Sequence, residues 1–296
     1  MRYGEYTLAD KTGRPVLRAF LSTVPRGRRE YREHHHAECE LSTILSGSGT
    51  YTVRGREYTF RAGDVFLFSG DEVHCLTDIS DGFVLLNTQF SPQLLWSERD
   101  AYPALAILFS RNEKFENRID PADPHTPALH DGIAALYREM EEGRTGWRLM
   151  ARYRLFSLLL TLVREYDYVD THADYSYLRH TVRPMRAALD YIDGNLDRPL
   201  TLPEISACAS MTPTYFSALF RQMNGLPLWE YITIKRVERA IGLLRDTDLT
   251  KLDIAGMCGF SSPSNFYRAF AQVTGKTPSH YTGRRTEDGG ASEAKT

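Results

Sequence analysis

The stretch "EHHHAECE", residues 33–40, concentrates side chains capable of chemistry. Read as one strand, it gives His34, His36 and Glu40 the same parity and turns all three to one face. His74 follows on a later strand, after "AGDVFLFSGDEV". Three imidazoles and a carboxylate facing a common interior make a ligand set for a divalent metal. Imidazole and carboxylate also hydrogen-bond hydroxyl groups, so the same four residues suit an organic effector that requires no cofactor. The residues leave both chemistries open. His35, at the opposite parity, is expected to be solvated.

The elements that must position this cluster have a β texture. From about residue 15 to 90, short segments such as "VLRAFLSTV", "ELSTIL", "GTYTVRGREYTF" and "FVLLNTQF" are rich in Val, Thr, Phe, Tyr and Leu, with Gly, Asp and Ser between them. That rhythm predicts an antiparallel sandwich or barrel, with a hairpin turn at Gly55. The pattern turns helical after residue 100. "PALHDGIAALYREMEEG" spaces Leu129, Ile133, Leu136, Tyr137 and Met140 on one helical face. "GWRLMARYRLFSLLLTLVREYDY" is apolar around much of its circumference, more than covering a barrel requires. Leu149, Tyr153, Phe156 and Leu160 are therefore candidates for a homodimer interface. The polar stretch 169–183 reads as a linker.

The remainder contains a pattern written twice. At an offset of 50 residues, Leu202 meets Leu252, Cys208 meets Cys258, Pro213 meets Pro263, Phe216 meets Phe266, Phe220 meets Phe270 and Gly225 meets Gly275. The shared residues are apolar or turn-forming, and those between them differ (Thr214 against Ser264, Ala218 against Arg268), as two reading heads on one scaffold require. Each copy parses as helix, tight turn, helix. Thr201 and Thr212 are the expected N-caps in the first copy and Ser262 in the second, with Pro213 and Pro263 at the first helical position. One long helix, "PLWEYITIKRVERAIGLLRD", joins the copies.

A turn-linked helix pair with a short, polar-faced second helix is a reader of double-stranded DNA. Thr214, Ser217 and Ala218 are expected to face outward from the first recognition helix, and Ser264, Asn265, Tyr267 and Arg268 from the second. Arg268 suits guanine and Asn265 adenine. Arg221 and Lys251 are expected on phosphates, and Phe216, Phe220, Phe266 and Phe270 in the core. Two such helices can enter major grooves about 34 Å apart.

Charge is consistent with this division. The chain has 296 residues and a net charge of −2, yet residues 183–286 hold 13 Lys+Arg against 9 Asp+Glu. Residues 1–182 hold 22 against 26. A mildly basic C-terminal half permits phosphate contacts. No basic leader precedes an apolar run, and "LFSLLLTLV" is too short to span a bilayer, so a cytoplasmic protein without membrane contact is expected. Cys39, Cys75, Cys208 and Cys258 lack paired metal spacing and suit a reducing compartment as small buried groups.

The segment 184–284, through "IAGMCGFSSPSNFYRAFAQVTGKTPSHY" and "YITIKRVERAIGLL", resembles the DNA-binding domain of the AraC-type (AraC/XylS) transcription regulators. His34-x-His36-x3-Glu40-x6-Gly47 is similar to the first cupin motif. Gly63-x5-Ser69-x-Asp71-x2-His74 looks like the second, with Ser69 and Asp71 where Pro and Gly are usual. The resemblance implies an α+β two-domain chain: a cupin-like antiparallel β-barrel with covering helices, then an all-α double helix-turn-helix. It implies an effector-binding and dimerisation domain over 1–168, a linker over 169–183, a DNA-binding domain over 184–286 and a disordered tail over 287–296. The expected function is a DNA-binding transcription regulator, not an enzyme, controlled by a small-molecule effector, with a saccharide as first candidate. An activator would also engage RNA polymerase. A metal-responsive regulator using His34, His36, Glu40 and His74 is the alternative, and a metallo-cupin enzyme with helical appendages the more distant one.

Overall fold

Among the described residues, the alternating apolar segments of the N-terminal half form nine antiparallel strands: β1 (Arg2–Ala9), β2 (Pro15–Thr23), β3 (Tyr31–His34), β4 (Cys39–Ser46), β5 (Ser48–Val53), β6 (Arg56–Arg61), β7 (Val65–Phe68), β8 (His74–Thr77) and β9 (Val84–Phe90). A computed structural model describes residues 2–25, 30–96, 108–109, 114–166, 168 and 178–282. Residues 169–177 of the expected linker and all of the expected tail lie outside them. The chain divides into two compact units: residues 1–10, 15–192 and 201–228 form unit 1, and residues 11–14, 193–200 and 229–296 form unit 2.

In unit 1 the strands make two sheets, ordered β1-β2-β9-β4-β7 and β3-β8-β5-β6. Tyr51, Phe60, Phe66, Phe68 and Phe83 meet between them in a buried aromatic core. Arg54 and Gly55, both at positive φ, close the β5–β6 hairpin as expected. Helices whose bounds lie within the described residues follow: α1 (Gln93–Trp96), α2 (Thr126–Glu142) and α3 (Trp147–Glu165). Helix α2 buries Leu129, Ile133, Leu136 and Met140 and covers the five-stranded sheet, where His130 Nδ1 meets Thr43 Oγ1 at 2.7 Å. Helix α3 buries Ala151, Leu155, Leu158, Leu159 and Leu162. Its other side exposes Leu149 and Tyr153 at 57% and 58%, with Phe156 and Leu160 half-buried.

The C-terminal half is helical: α4 (Arg183–Gly194), α5 (Leu202–Cys208), α6 (Pro213–Asn224), α7 (Leu228–Asp246), α8 (Lys251–Met257) and α9 (Pro263–Thr274). Helices α4 to α6 belong to unit 1, and α7 (after Leu228), α8 and α9 to unit 2. In unit 2, Val237, Ala240, Ile241 and Leu244 of α7 pack with Ile254, Cys258, Phe266 and Phe270. No helix among the described residues is long and apolar enough to cross a membrane.

The two copies of the repeat correspond, but not at one offset. Thr201 accepts from the Glu204 N–H and Thr250 from the Asp253 N–H, which aligns α5 with α8 at 49 residues. Buried Ile205 and Ala209 then match buried Ile254 and Cys258. The turns agree: Met211 N–H donates to Ser206 O, and Phe260 N–H to Ala255 O. Helices α6 and α9 match at 50, because the second copy carries one extra residue before its serine cap. The expected Leu202–Leu252 and Cys208–Cys258 correspondences are therefore coincidences of composition. Cap and turn hydrogen bonds set the register, and they ignore which side chains happen to recur. The caps differ as well. Ser262 accepts from the Asn265 N–H, whereas Thr212 stands at the N-cap without a side-chain bond. Of the four cysteines, only Cys39 and Cys258 are buried; Cys75 and Cys208 are partly exposed.

Candidate effector site and nucleic-acid interface

His34, His36 and Glu40 do not share a strand. His34 ends β3 in one sheet, Glu40 lies on β4 in the other, and His36 sits in the crossing between them. Strand parity therefore does not bring them together. The crossing does, because it folds the chain back into the interior as it changes sheets. His74 opens β8 directly opposite His34. The His34 and His74 rings lie 4.4 Å apart, and His36 and His74 5.6 Å apart. Each imidazole donates its Nδ1–H to a backbone carbonyl: His34 to Arg32 at 3.0 Å, His36 to Glu38 at 2.9 Å and His74 to Glu72 at 2.8 Å. These bonds anchor the three rings. The three rings offer ligand nitrogens within 4.8 Å of one another; Glu40 is not part of that close set.

Glu40 has its own partners. His36 Nε2–H donates to Glu40 Oε2 at 3.1 Å, and Gln89 Nε2 donates to the same oxygen at 3.0 Å. Arg18 holds Gln89 from behind, its guanidinium donating to Gln89 Oε1 at 3.0 Å. Burial alone would raise the Glu40 carboxyl. The His36 hydrogen bond, the nearby imidazoles and Gln89 outweigh burial and hold it at about 2. Burial opposes the charge on His36, yet the bond to Glu40 raises its pKa above the ordinary value. Burial lowers that of His74. The resulting pocket combines a buried carboxylate held toward its charged form with two imidazoles whose pKa values are shifted in opposite directions.

Beside this cluster is a cavity of about 190 Å³ bordered by His34, Glu40, His74, Asn87 and Gln89, with Phe20, Tyr51, Leu76 and Leu85 as apolar walls. Sequence reasoning missed Arg18, Asn87 and Gln89. The signal was present in "LLNTQF", where Leu85, Asn87 and Gln89 alternate on one strand face and place two amides where a barrel interior expects apolar residues.

Thr214, Ser217, Ala218 and Arg221 are all exposed on α6. On α9, Ser264, Tyr267 and Arg268 are exposed and Asn265 is half-buried. Asn265 links two neighbours: its Nδ2 donates to Ser261 Oγ at 2.9 Å, and its Oδ1 accepts from Arg268 at 2.8 Å. That bond orients the guanidinium. Lys251 donates to Ser279 Oγ at 2.8 Å. Phe216, Phe220, Phe266 and Phe270 are fully buried, as expected. Tyr215, 56% exposed beside Thr214, joins the outward face of α6, although it was not among the expected base-contacting residues. Its place one residue after Thr214 and one before buried Phe216 was the available clue.

Residues 26–159 match the family described as AraC-like ligand binding domain, and residues 205–284 match a helix-turn-helix domain family. The melibiose operon regulatory protein of Escherichia coli (strain K12) is 25% identical over 258 residues, spanning 84% of this chain and 82% of that protein. The HTH-type transcriptional activator RhaR of Escherichia coli O139:H28 (strain E24377A / ETEC) is 25% identical over 251 residues, spanning 85% and 86%. Among solved structures, the DNA-binding domain of the global transcriptional factor AdpA, in complex with a target DNA, is 26% identical. It covers 33% of this chain and 90% of that one at a TM-score of 0.32.

Proposed function

Because the chain belongs to the AraC-type transcription regulators, we propose that it binds specific sites on double-stranded DNA under the control of a small organic effector held in the barrel. The observation that carries the effector reading is the lined cavity at His34, Glu40 and His74. At about 190 Å³ it is smaller than the ~300–1,000 Å³ of drug-sized sites, which fits a monosaccharide or less. The name of the melibiose operon regulator supports a saccharide as first candidate. The chain is read as a regulator and not an enzyme. It acts in the cytoplasm and, as an activator, would also engage RNA polymerase. Its working division is 1–168 for effector and dimerisation, 169–183 as linker, 184–286 for DNA and 287–296 as tail.

The base-reading assignment has a direct test. Arg268→Ala should cost about 1–3 kcal/mol of specific binding and relax base preference at one position. Arg221→Ala should weaken all sequences alike. Selection on randomised duplexes measures both, and an Arg268→Ala protein with its preference intact would remove α9 from the reading role.

For assembly, we place a homodimer contact on the outer face of α3, where Leu149 and Tyr153 stand exposed and Phe156 and Leu160 border them. Exposed apolar side chains in one stripe are the usual mark of an interface. Leu149→Glu with Tyr153→Glu should convert the full-length dimer to monomer in analytical ultracentrifugation and reduce affinity for a repeated site. A wild type that sediments as a monomer refutes the contact.

A second reading is favoured by the three imidazoles, whose ligand nitrogens lie within 4.8 Å of one another. His34, His36 and His74, with Glu40 beside them, would hold a divalent metal as a sensed ion. Elemental analysis of purified protein, with melting temperatures in added zinc and in chelator, separates the readings. A metal-free protein indifferent to both leaves the organic effector.

A further inference from the structure

The barrel interior carries a second polar row, one step further along the same strands as Glu40. Strands β4 and β9 pair so that Glu40 faces Gln89 and Ser42 faces Asn87. On β2 and β7 the first row continues to Arg18 and Phe68, the second to Phe20 and Phe66. Directly opposed residues of an antiparallel pair lie on the same face, so Ser42 and Asn87 share the interior with Glu40 and Gln89.

The two rows differ in one respect. The first is hydrogen-bonded within itself, through Arg18, Gln89, Glu40 and His36. In the second, Ser42 Oγ and Asn87 Oδ1 are buried and meet no hydrogen-bond partner in the protein. Ser42 is 0% and Asn87 6% exposed, and Asn87 lines the cavity. Phe20 and Phe66, their neighbours across the sheet, present hydrocarbon only. Buried polar atoms are nearly always paired, so two opposed orphans, with Asn87 at the cavity wall and Ser42 directly across from it in the sheet pairing, call for an external partner.

We infer that Asn87 and Ser42 form a second hydrogen-bonding station for the effector, and that the effector is a small uncharged polyhydroxylated molecule gripped at both ends. This rests on the effector reading above and narrows it. The stations lie two residues apart along the strands, about 7 Å, within the reach of a single small ring and its substituents. The Asn87 Oδ1 atom only accepts, so the group that meets it must be a donor. A hydroxyl qualifies and a carboxylate does not. At the other station an acidic ligand would place its charge beside the buried Glu40 carboxylate, and an amine would enter a cluster of three imidazoles. Hydroxyl groups, which donate and accept, suit both ends.

The test uses the full-length protein, its Asn87→Leu and Ser42→Ala variants, and three probe sets. These are neutral monosaccharides (D-glucose, D-galactose, L-arabinose, L-rhamnose), the acids D-glucuronate and D-galacturonate, and the amine D-glucosamine. Thermal shift and calorimetry are the readouts. At least one neutral sugar is expected to bind the wild type, and the acids and amine to bind at least tenfold more weakly. Asn87→Leu should lose tenfold or more in affinity for that sugar while its ligand-free melting temperature holds or rises, because an unsatisfied atom has been removed. Ser42→Ala should lose severalfold with the same unchanged melting. If sugar binding persists but neither variant weakens it, the second station is wrong and the effector reading stands. If a variant melts lower without ligand, its residue is structural and the station is again refuted. If an acid or the amine binds best, the ligand class is wrong. A wild type that ignores all three probe sets would remove the saccharide reading and this inference together.

Discussion

Replacing Gly259 with alanine is expected to destabilise unit 2 by about 2–5 kcal/mol and to abolish specific DNA binding. Gly259 turns the chain between α8 and α9 at φ +74°, a conformation that costs a residue with a Cβ roughly 1–2 kcal/mol. The new methyl would also overlap the Leu196 carbonyl oxygen and come within 2.9 Å of the Arg236 guanidinium. Arg236 has little freedom to retreat, because it donates to Leu196 O at 3.0 Å and to Arg198 O at 2.7 Å. Overpacking of this kind adds about 1–3 kcal/mol. The matching turn of the first copy is an internal control. Ser210 adopts φ +54° there and is exposed, so Ser210→Gly should be neutral or stabilising by up to about 1 kcal/mol. Urea denaturation of the full-length protein, paired with duplex titration, measures both variants. A Gly259→Ala protein with wild-type midpoint and affinity would show that the turn tolerates a side chain.

Loss of Glu40 should be the most damaging change in the barrel. Glu40→Ala removes a carboxylate that is 2% exposed and strips His36 and Gln89 of their shared acceptor. Breaking a buried, hydrogen-bonded pair costs about 3–5 kcal/mol; His36 retains some solvent access and can shed its proton, so about 3 kcal/mol is expected. Glu40→Gln keeps the shape and one acceptor and should cost roughly half as much. Acid should reproduce part of this effect. The Glu40 pKa is held at about 2 in the fold, against 4.5 ordinarily, so its contribution is complete above pH 4.5 and is lost as pH falls toward 2. His36 works in the opposite sense: its pKa is raised, so its share is present at lower pH and fades as pH rises through the folded value. Denaturation of metal-free wild type and Glu40→Gln across the acid range isolates the carboxylate. The wild-type curve should fall more steeply below pH 4.5. Parallel curves would mean that the pairing contributes nothing.

Much of this molecule was legible before any coordinates, and the legible parts are local. Thr201 and Ser262 cap, Pro213 and Pro263 open helices, and Gly225 and Gly275 close them in the left-handed region, because each acts on backbone groups within four residues of itself. The four aromatic positions Phe216, Phe220, Phe266 and Phe270 were recognisable as core from helical spacing alone. The types of the site residues were equally plain: three histidines and a glutamate announced imidazole and carboxylate chemistry wherever they met.

How they met was decided by the tertiary fold. Strand parity brings His34 to Glu40 only if no chain crossing intervenes, and the sheet change at 35–38 is a long-range event with no local signature. The extra residue in the second turn escaped a search by identity because hydrogen bonds, not side-chain names, hold the register. Arg18, Gln89, Ser42 and Asn87 became part of the site only when β2, β9 and β4 were laid side by side. An amide in a strand is satisfied or orphaned according to what the neighbouring strand places opposite it, and that pairing joins residues tens of positions apart. Sequence by itself determined the helices, most of their caps and the chemical kinds available to the barrel. Tertiary structure alone decided which of those groups share a cavity, which already have partners and which, Ser42 Oγ and Asn87 Oδ1 among them, still lack one, because contact between distant residues depends on strand order and register that no short stretch of chain encodes.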